Sequence, residues 1–152
     1  MQSSERKHPL AQCESCPLFE GSAFVPSEIP DSPRLAVVGE APGFYETSRG
    51  RPFMGPSGKL LDQVLNHYEY PRSEVMYTNV CLCRPEGNAT PPKAAVNACR
   101  KRLLAELMES GVRDVVALGG TAASALVDDP RNISDLRVGP PKPPSPALRE
   151  TS

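Results

Sequence analysis

Apolar residues follow two different periods along this chain. Three short apolar runs are typical of buried strands that feed turns, and the first two end at Gly39 and Asn79. Between these runs, apolar residues recur at helical spacing, which is typical of amphipathic helices. The pattern therefore predicts strands over 35–38, 75–78 and 112–118, and helices over 57–68, 93–110 and 120–127.

The first predicted helix has the clearest apolar stripe. Leu60, Leu61, Val64 and Leu65 lie at helical spacing, and Ser57 is a residue type that caps helix N-termini. We expect this stripe to face the core. In the second helix, Leu103, Leu104 and Leu107 are expected to face inward, and Gly111 is expected to end the helix.

The alternation of strands and helices predicts the fold class. It indicates an α/β fold, with a parallel sheet of three to four strands and helices on both faces. In such sheets the reactive loops leave the carboxyl ends of the strands. Gly39, Glu40 and Asn79 lie at two such ends, so we expect them to converge on one crevice. A chain of 152 residues fits one domain.

Four cysteines are the candidate metal ligands. Cys13 and Cys16 form a CxxC pair, and Cys83 and Cys99 lie far downstream. Four thiolates from two distant segments can enclose one iron–sulfur or zinc centre. A thioredoxin-like pair would follow a strand, whereas this pair precedes the first predicted strand. Cys81 is interpreted as a small buried residue, and the alternative is a spare ligand.

The cellular compartment is predicted from two features that the sequence does not show, an apolar signal core and a membrane-spanning apolar run. Residues 1–10 are polar and contain no apolar signal core. No apolar run approaches membrane-spanning length. We therefore expect a cytoplasmic protein without a membrane partner, in a reducing compartment where CxxC indicates metal or redox chemistry.

Charge is balanced overall but not locally. The chain has a formal net charge of −1, yet residues 80–105 contain five basic side chains and one acidic side chain, a local charge of +4. The five are Arg84, Lys93, Arg100, Lys101 and Arg102, against Glu86. Such a patch can bind phosphates. The alternative is a solvated helix face.

Three motifs resemble one known family. They are GEAPGFYE at 39–46, GRPFMGPSGKLL at 50–61 and YTNVCLCRP at 77–85. In order and spacing they resemble the iron–sulfur uracil-DNA glycosylases, the bacterial and archaeal group called family four. The spacing of the four cysteines is also similar to that of the family's cluster ligands. The resemblance covers about residues 10–137, and it implies the same α/β fold.

The resemblance implies roles for the residues around the predicted crevice. Glu40 would position water and stabilise positive charge on the sugar. Glu46 would line the base pocket and help to exclude the methyl group of thymine. Phe53 would stack on a flipped uracil, and Asn79 would bind its Watson–Crick edge. The pocket would be shaped by the turn at 39–43, including Gly39 and Ala41.

Each of these roles has a structural alternative. Glu40 could be a loop carboxylate that interacts with a helix dipole, and Glu46 a solvated surface acid. Phe53 could be an ordinary core aromatic. Asn79 could satisfy backbone groups at a strand end.

The resemblance also implies a cofactor and a nucleic-acid partner. Cys13, Cys16, Cys83 and Cys99 would bind a [4Fe–4S] cluster with a structural role, which holds the loop at 84–92 near DNA. Uracil-containing DNA would be the partner, with Arg84, Lys93 and Arg100 as the DNA contacts.

The C-terminal part departs from the family pattern. The family adds a fourth strand and a His-Pro-Ser type motif, whose histidine stabilises the departing uracil anion. This chain has no histidine after His67, and five prolines fall within 140–146. We therefore expect a glycosylase-like domain over 1–137, a disordered proline-rich tail over 138–152, and a sheet with an exposed edge beside 112–118. Three explanations would account for this departure. They are a frameshift or truncation, a decayed copy, and a partner chain that completes the sheet of an otherwise monomeric protein.

Together these observations predict a uracil-DNA glycosylase of base excision repair. It would hydrolyse the N-glycosidic bond of a flipped-out uracil in DNA and leave an abasic site. The alternatives are a weakened or inactive remnant that binds DNA or uracil, and a small zinc-bound interaction module.

Overall fold

The chain forms a three-stranded parallel sheet. A computed structural model describes residues 7–127. Strands β1 (Leu35–Gly39), β2 (Val75–Asn79) and β3 (Val115–Ala117) lie in the order β2-β1-β3, and both pairs are parallel. The register places Gly39 opposite Asn79. The predicted α/β fold is therefore confirmed. The predicted boundary at residue 137 and the tail at 138–152 lie outside the described residues.

Four α-helices connect and follow the strands within residues 7–127. They are α1 (Phe44–Arg49), α2 (Pro56–His67), α3 (Lys93–Ser110) and α4 (Gly120–Val127). The predicted bounds of α3 and α4 are confirmed, and α3 ends at Gly111 in the left-handed conformation with φ 74°. Strand β3 is shorter than the predicted 112–118. Helix α1 was not predicted, because six residues are too few to show a helical period.

Helix α2 begins earlier than predicted. Gly55 caps it, and Pro56 occupies its first turn, where a missing N–H costs nothing. The prediction that Ser57 is the cap was wrong for this reason. The predicted apolar stripe is also only partly correct. Leu61 and Leu65 pack against the core, but Leu60 and Val64 are 63% and 46% exposed.

The sheet has a buried cluster on each face. Alternate side chains of a strand point to opposite faces, so β1 and β2 are buried on both sides. On one face Ala36, Val38 and Met76 pack with Leu103 of α3 and Ala122 of α4. The other face packs against α2, with contacts among Leu35, Val37, Val75, Tyr77, Leu61 and Leu65. Helices therefore lie on both faces, as predicted.

Strand β3 is exposed at the edge of the described sheet. Val115 and Val116 are each 39% exposed, and Leu118 is 38% exposed. Within residues 7–127, β3 pairs only with β1. The expectation that no further strand covers this edge falls on residues outside the described part of the chain.

No helix among residues 7–127 combines the length and the apolar character that crossing a membrane requires.

Candidate functional site

A cleft opens where β1 and β2 end side by side. It has a volume of about 430 Å³. The turn after β1, the start of α2, and the end of β2 form its walls. It is lined by Gly39, Glu40, Ala41, Gly43, Phe44, Tyr45, Glu46, Phe53, Gly55, Pro56, Ser57, Gly58, Asn79, Asn88 and Leu118. The structure therefore brings together the six residues that the sequence predicted for catalysis and base binding.

Gly39 lies beneath two converging side chains. A Cβ atom at this position would lie 2.5 Å from Asn79 Oδ1 and 2.9 Å from Phe53 Cζ. The absence of a side chain at Gly39 thus allows the Asn79 amide and the Phe53 ring to meet above the end of β1. A planar ligand in the cleft would contact a ring and an amide together.

Phe53 is held in a strained backbone conformation. Its φ is 56°, in the left-handed region that non-glycine residues rarely adopt. The Arg72 guanidinium donates to Phe53 O at 3.3 Å and to Pro52 O at 2.6 Å. A Cβ at Gly58 would lie 2.1 Å from Phe53 O, so only glycine allows α2 to approach this closely. The ring also contacts Tyr77, with centroids 5.5 Å apart. Phe53 is therefore both a core contact and a cleft wall.

Arg72 is itself anchored by carboxylates. It donates to Glu28 Oε2 at 2.8 Å and to Asp62 Oδ2 at 3.1 Å, and its guanidinium lies 4.3 Å from the centre of the Tyr77 ring. These contacts join β2, α2 and the Phe53 loop. Arg72 was not predicted from the sequence, because its partners are scattered along the chain.

Glu40 is half-buried and oriented by a hydroxyl group. Thr121 Oγ1 donates to Glu40 Oε2 at 2.6 Å. Thr121 lies in the first turn of α4, 81 positions along the chain from Glu40. The carboxylate therefore faces the cleft with one oxygen engaged. Thr121 was also not predicted as a site residue, because a threonine near a helix start is an ordinary capping residue.

The Glu46 carboxylate connects the loops around the cleft by hydrogen bonds. Its Oε1 accepts the Gly43 N–H at 2.9 Å, and its Oε2 accepts the N–H groups of Met54 at 2.8 Å and Gly55 at 2.9 Å. Burial opposes ionisation, but these three hydrogen bonds outweigh it and hold the pKa of Glu46 below its usual value. The Glu46 carboxylate is therefore held by hydrogen bonds in the cleft wall and is not a freely solvated acid.

Asn79 is held through its backbone by a buried arginine. The residue is 4% exposed, and its carbonyl accepts from Arg102 Nη2 at 2.6 Å. From the sequence, Arg102 was expected to belong to a basic surface patch. That was wrong, because the side chain is fully buried and its guanidinium bonds to Thr78, Val80 and Glu106 as well.

The three predicted DNA contacts lie beside two neighbouring clefts. Arg84 donates to Asn88 Oδ1 at 2.8 Å, beside the cleft wall. Lys93 is exposed at the start of α3, and Arg100 donates to Ala125 O at 2.7 Å. Lys93 and Arg100 line a second cleft of about 420 Å³. Because Thr121 lines this second cleft and also binds Glu40, the two clefts are neighbours.

The four predicted metal ligands line one cavity. Cys13, Cys16, Cys83 and Cys99 surround it together with Cys81, and all five are free thiols. The cavity joins the N-terminal segment, the loop after β2 and α3, and the Gln12 N–H donates to Ala98 O at 2.9 Å across this junction. Among residues 7–127, no group of three His, Cys, Asp or Glu side chains is arranged to hold a metal ion.

Donors point at three of these sulfur atoms. The Leu18 N–H lies 3.4 Å from Cys16 Sγ, Lys7 Nζ lies 3.4 Å from Cys83 Sγ, and Arg102 Nη2 lies 3.5 Å from Cys99 Sγ. Burial raises the pKa of the Cys83 thiol, and the Lys7 ammonium opposes that rise. Such donors stabilise negative charge on sulfur.

Comparisons with known proteins point to one family. Residues 26–152 match the family model described as the Uracil DNA glycosylase superfamily. The Type-4 uracil-DNA glycosylase of Pyrobaculum aerophilum is 37% identical over 126 residues, which are 82% of this chain and 64% of that protein.

Two further relatives carry the same description. The Thermotoga maritima protein is 37% identical over 133 residues, 86% of this chain and 69% of its own length. The Archaeoglobus fulgidus protein is 35% identical over 128 residues, 84% of this chain and 62% of its own length. The chain therefore spans 62% to 69% of the length of the three relatives.

Proposed function

This chain belongs to the uracil-DNA glycosylase superfamily, and we propose that it hydrolyses the N-glycosidic bond of uracil in DNA, as a step of base excision repair. The observation that carries the proposal is the convergence of the Asn79 amide and the Phe53 ring above Gly39, beside the Glu40 carboxylate. A site with this geometry suits a flat base with a polar edge.

Base recognition follows from these side chains. The target nucleotide must leave the duplex stack before its glycosidic bond is accessible. In the cleft, the Phe53 ring stacks on the base. The Asn79 amide provides one acceptor and two donors, which match the N3–H and a carbonyl of uracil. Glu46 holds part of the cleft wall through three backbone N–H groups, and we propose that this wall helps to exclude the 5-methyl group of thymine.

Bond cleavage is assigned to Glu40. The bond between C1′ and N1 breaks, its electron pair leaves with the uracil, and positive charge develops on the sugar. The Glu40 carboxylate stabilises this charge and orients a water molecule toward C1′. The water oxygen bonds to C1′, and its proton passes through the carboxylate to solvent or to the departing base. Thr121 holds the carboxylate in place.

Uracil release from a single-stranded oligonucleotide tests this function. We expect anaerobically purified protein to release uracil and leave an alkali-labile abasic site. Glu40→Ala and Asn79→Ala should each lower the rate by about 10²–10³-fold, as for other preorganised polar groups. The matched control is Glu109→Ala, which removes an exposed carboxylate of α3. Wild-type rates in either site variant would refute the assignment.

A binding protein without catalysis is the second candidate. Residues 68–152 include no histidine that could act as the family's leaving-group histidine, and a site that works without such a group would bind the base without releasing it rapidly. Selective binding of uracil-containing DNA without release of the base would identify this function.

We also propose that Cys13, Cys16, Cys83 and Cys99 hold a [4Fe–4S] cluster. Four thiols from two distant segments line one cavity, and N–H donors point at three of the sulfur atoms. This donor set suits an anionic iron–sulfur cluster. When bound, the cluster would supply a covalent link between the N-terminal segment, the loop after β2 and α3.

Iron and sulfide analysis tests the cluster. We expect a brown protein with about four iron and four sulfide per chain. Cys99→Ser should lose this metal. Cys81→Ser is the control, because the same substitution changes a cavity-lining thiol outside the proposed ligand set. A colourless protein with one zinc and no sulfide would contradict the cluster and favour the zinc-bound module. Loss of iron in Cys81→Ser would make Cys81 a ligand.

DNA binding is assigned to the basic side chains beside the clefts. We propose that Arg84, Lys93 and Arg100 contact phosphates next to the flipped nucleotide. The support is their position around two neighbouring clefts.

A further inference from the structure

Arg102 joins the cysteine cavity to the strand that carries Asn79. It lies on α3, three residues after Cys99, and its side chain is fully buried. One guanidinium nitrogen, Nη2, donates to Asn79 O at 2.6 Å and to Val80 O at 2.9 Å, and lies 3.5 Å from Cys99 Sγ. A single nitrogen therefore contacts the proposed base-binding segment and a proposed cluster ligand.

These three acceptors share two protons. An Nη2 group carries two N–H bonds, whereas Asn79 O, Val80 O and Cys99 Sγ all lie within hydrogen-bonding distance of it. The Asn79 carbonyl and the Cys99 sulfur therefore compete for the same N–H groups of Arg102.

The other side of the guanidinium is fixed. Nη1 donates to Thr78 Oγ1 at 2.9 Å and to Glu106 Oε1 at 2.8 Å. Ser27 donates to the same Glu106 oxygen at 2.9 Å. This anchored carboxylate balances the buried charge and keeps the guanidinium from turning away. A planar, forked cation can contact both sides at once, and a lysine ammonium cannot.

We propose that Arg102 is a positioning residue that sets the place of Asn79 and couples it to the cysteine site. The inference rests on the proposed function of Asn79 and of the four cysteines. Reading a base edge requires the amide to be correctly placed, since a misplacement of about 1 Å can cost about 10²-fold in rate. Arg102 reaches Asn79 through its backbone and never touches the base.

Two variants test the coupling against a matched control. Arg102→Met removes every N–H donor of the side chain. Arg102→Lys keeps the positive charge opposite Glu106 but loses the planar, forked arrangement of N–H groups. Arg113→Met is the control, because it makes the same substitution at an exposed arginine. If Arg102→Met does not accumulate as folded protein, Arg102→Lys alone decides the question.

The first readout is base preference. It is the ratio of two affinities. One is for single-stranded DNA that contains 2′-fluoro-2′-deoxyuridine, which resists hydrolysis, and the other is for the same DNA with thymidine at that position. We expect this ratio to fall at least about tenfold in Arg102→Met and partly in Arg102→Lys, with a fall of about 10²-fold in uracil release per folded, iron-loaded molecule. Arg113→Met should keep the wild-type ratio and rate.

The second readout is the reduction potential of the iron–sulfur centre. Loss of a cationic N–H donor beside Cys99 should shift the potential to more negative values in Arg102→Met and leave it unchanged in Arg113→Met. A residue with only a structural role would lower the amount of folded protein and would leave the base preference of the folded, iron-loaded molecules unchanged.

Each outcome decides the proposal. Wild-type preference in both Arg102 variants would overturn it, and so would a change in preference without a change in potential. A wild type that binds uracil selectively but releases none would refute glycosylase activity, and the ratio would still test Arg102. A wild type without uracil preference would overturn both proposals.

Discussion

Three residues of the candidate cleft are each held by a partner from a distant part of the chain. Thr121 binds the Glu40 carboxylate, Arg102 binds the Asn79 carbonyl, and Arg72 binds the Phe53 carbonyl. Supporting residues of this kind fix a site before its ligand arrives. Gly39 adds a steric condition, because any Cβ there would clash with Asn79 and Phe53.

At the residue scale, the hydroxyl of Thr121 should matter more than its size. Thr121→Val keeps the shape but removes the donor to Glu40 Oε2, so the carboxylate loses its fixed orientation. We expect uracil release to fall about tenfold, which corresponds to one hydrogen bond to a charged group. Single-turnover measurement of uracil release gives the rate.

Thr121→Ser is the matched control for this prediction. It restores the hydroxyl and should restore most of the rate. If Thr121→Val and Thr121→Ser had equal rates, the hydrogen bond to Glu40 would have no role in the reaction.

At the element scale, α3 has three separate functions. It packs Leu103 and Leu107 against the sheet, it carries Cys99 to the cysteine cavity, and it places Arg102 beneath Asn79. The bounds of α3 were predictable from its flanking residues, because Pro92 precedes it and Gly111 follows it. The burial of Arg102 was not predictable, because its backbone acceptors lie on β2 and in the loop that follows it.

The packing of α3 gives a prediction for stability. Leu103 is fully buried and Met108 is 83% exposed on the same helix. Leu103→Ala should lower the free energy of unfolding by about 2–5 kcal/mol, because it leaves a cavity against the sheet. Met108→Ala should change it by less than about 0.5 kcal/mol. Denaturant unfolding under anaerobic conditions measures both. Equal effects of the two substitutions would mean that α3 does not pack on the sheet in this orientation.

At the scale of the whole molecule, two engaged carboxylates link stability to pH. Burial raises the pKa of Glu28, but hydrogen bonds from Arg72 and Arg51 outweigh it, and the net pKa is lowered. The pKa of Glu46 is also lowered by its three backbone donors. A lowered pKa in the folded state means that the unfolded chain binds more protons as pH falls. The stabilisation by these two ionised carboxylates is therefore complete at pH values above 4.5, the ordinary pKa of glutamate, and is lost as the pH falls below that value.

Glu46→Gln tests this linkage. At pH 7 it should lower the free energy of unfolding by about 2 kcal/mol, since it weakens hydrogen bonds to a charged group. The difference from wild type should shrink as pH falls from about 5 to about 3. Thermal or urea unfolding of both proteins across this range measures it.

The control for the pH prediction is Glu20→Gln at an exposed position. It should differ little from wild type at any pH in this range. A cost of Glu46→Gln that stayed constant with pH would show that ionisation of Glu46 does not contribute to stability.

The sequence alone determined the fold class, the order of the three strands and of helices α2, α3 and α4, the bounds of α3 and α4, and the crevice at the ends of β1 and β2. These features depend on apolar period, turn residues and the rule that parallel strands end at one edge. The three-dimensional structure decided what holds the site: Thr121 on Glu40, Arg72 on Phe53, and the buried Arg102 between Asn79 and Cys99. A hydrogen bond joins residues that are distant in the chain, and no local pattern records which residues meet after folding.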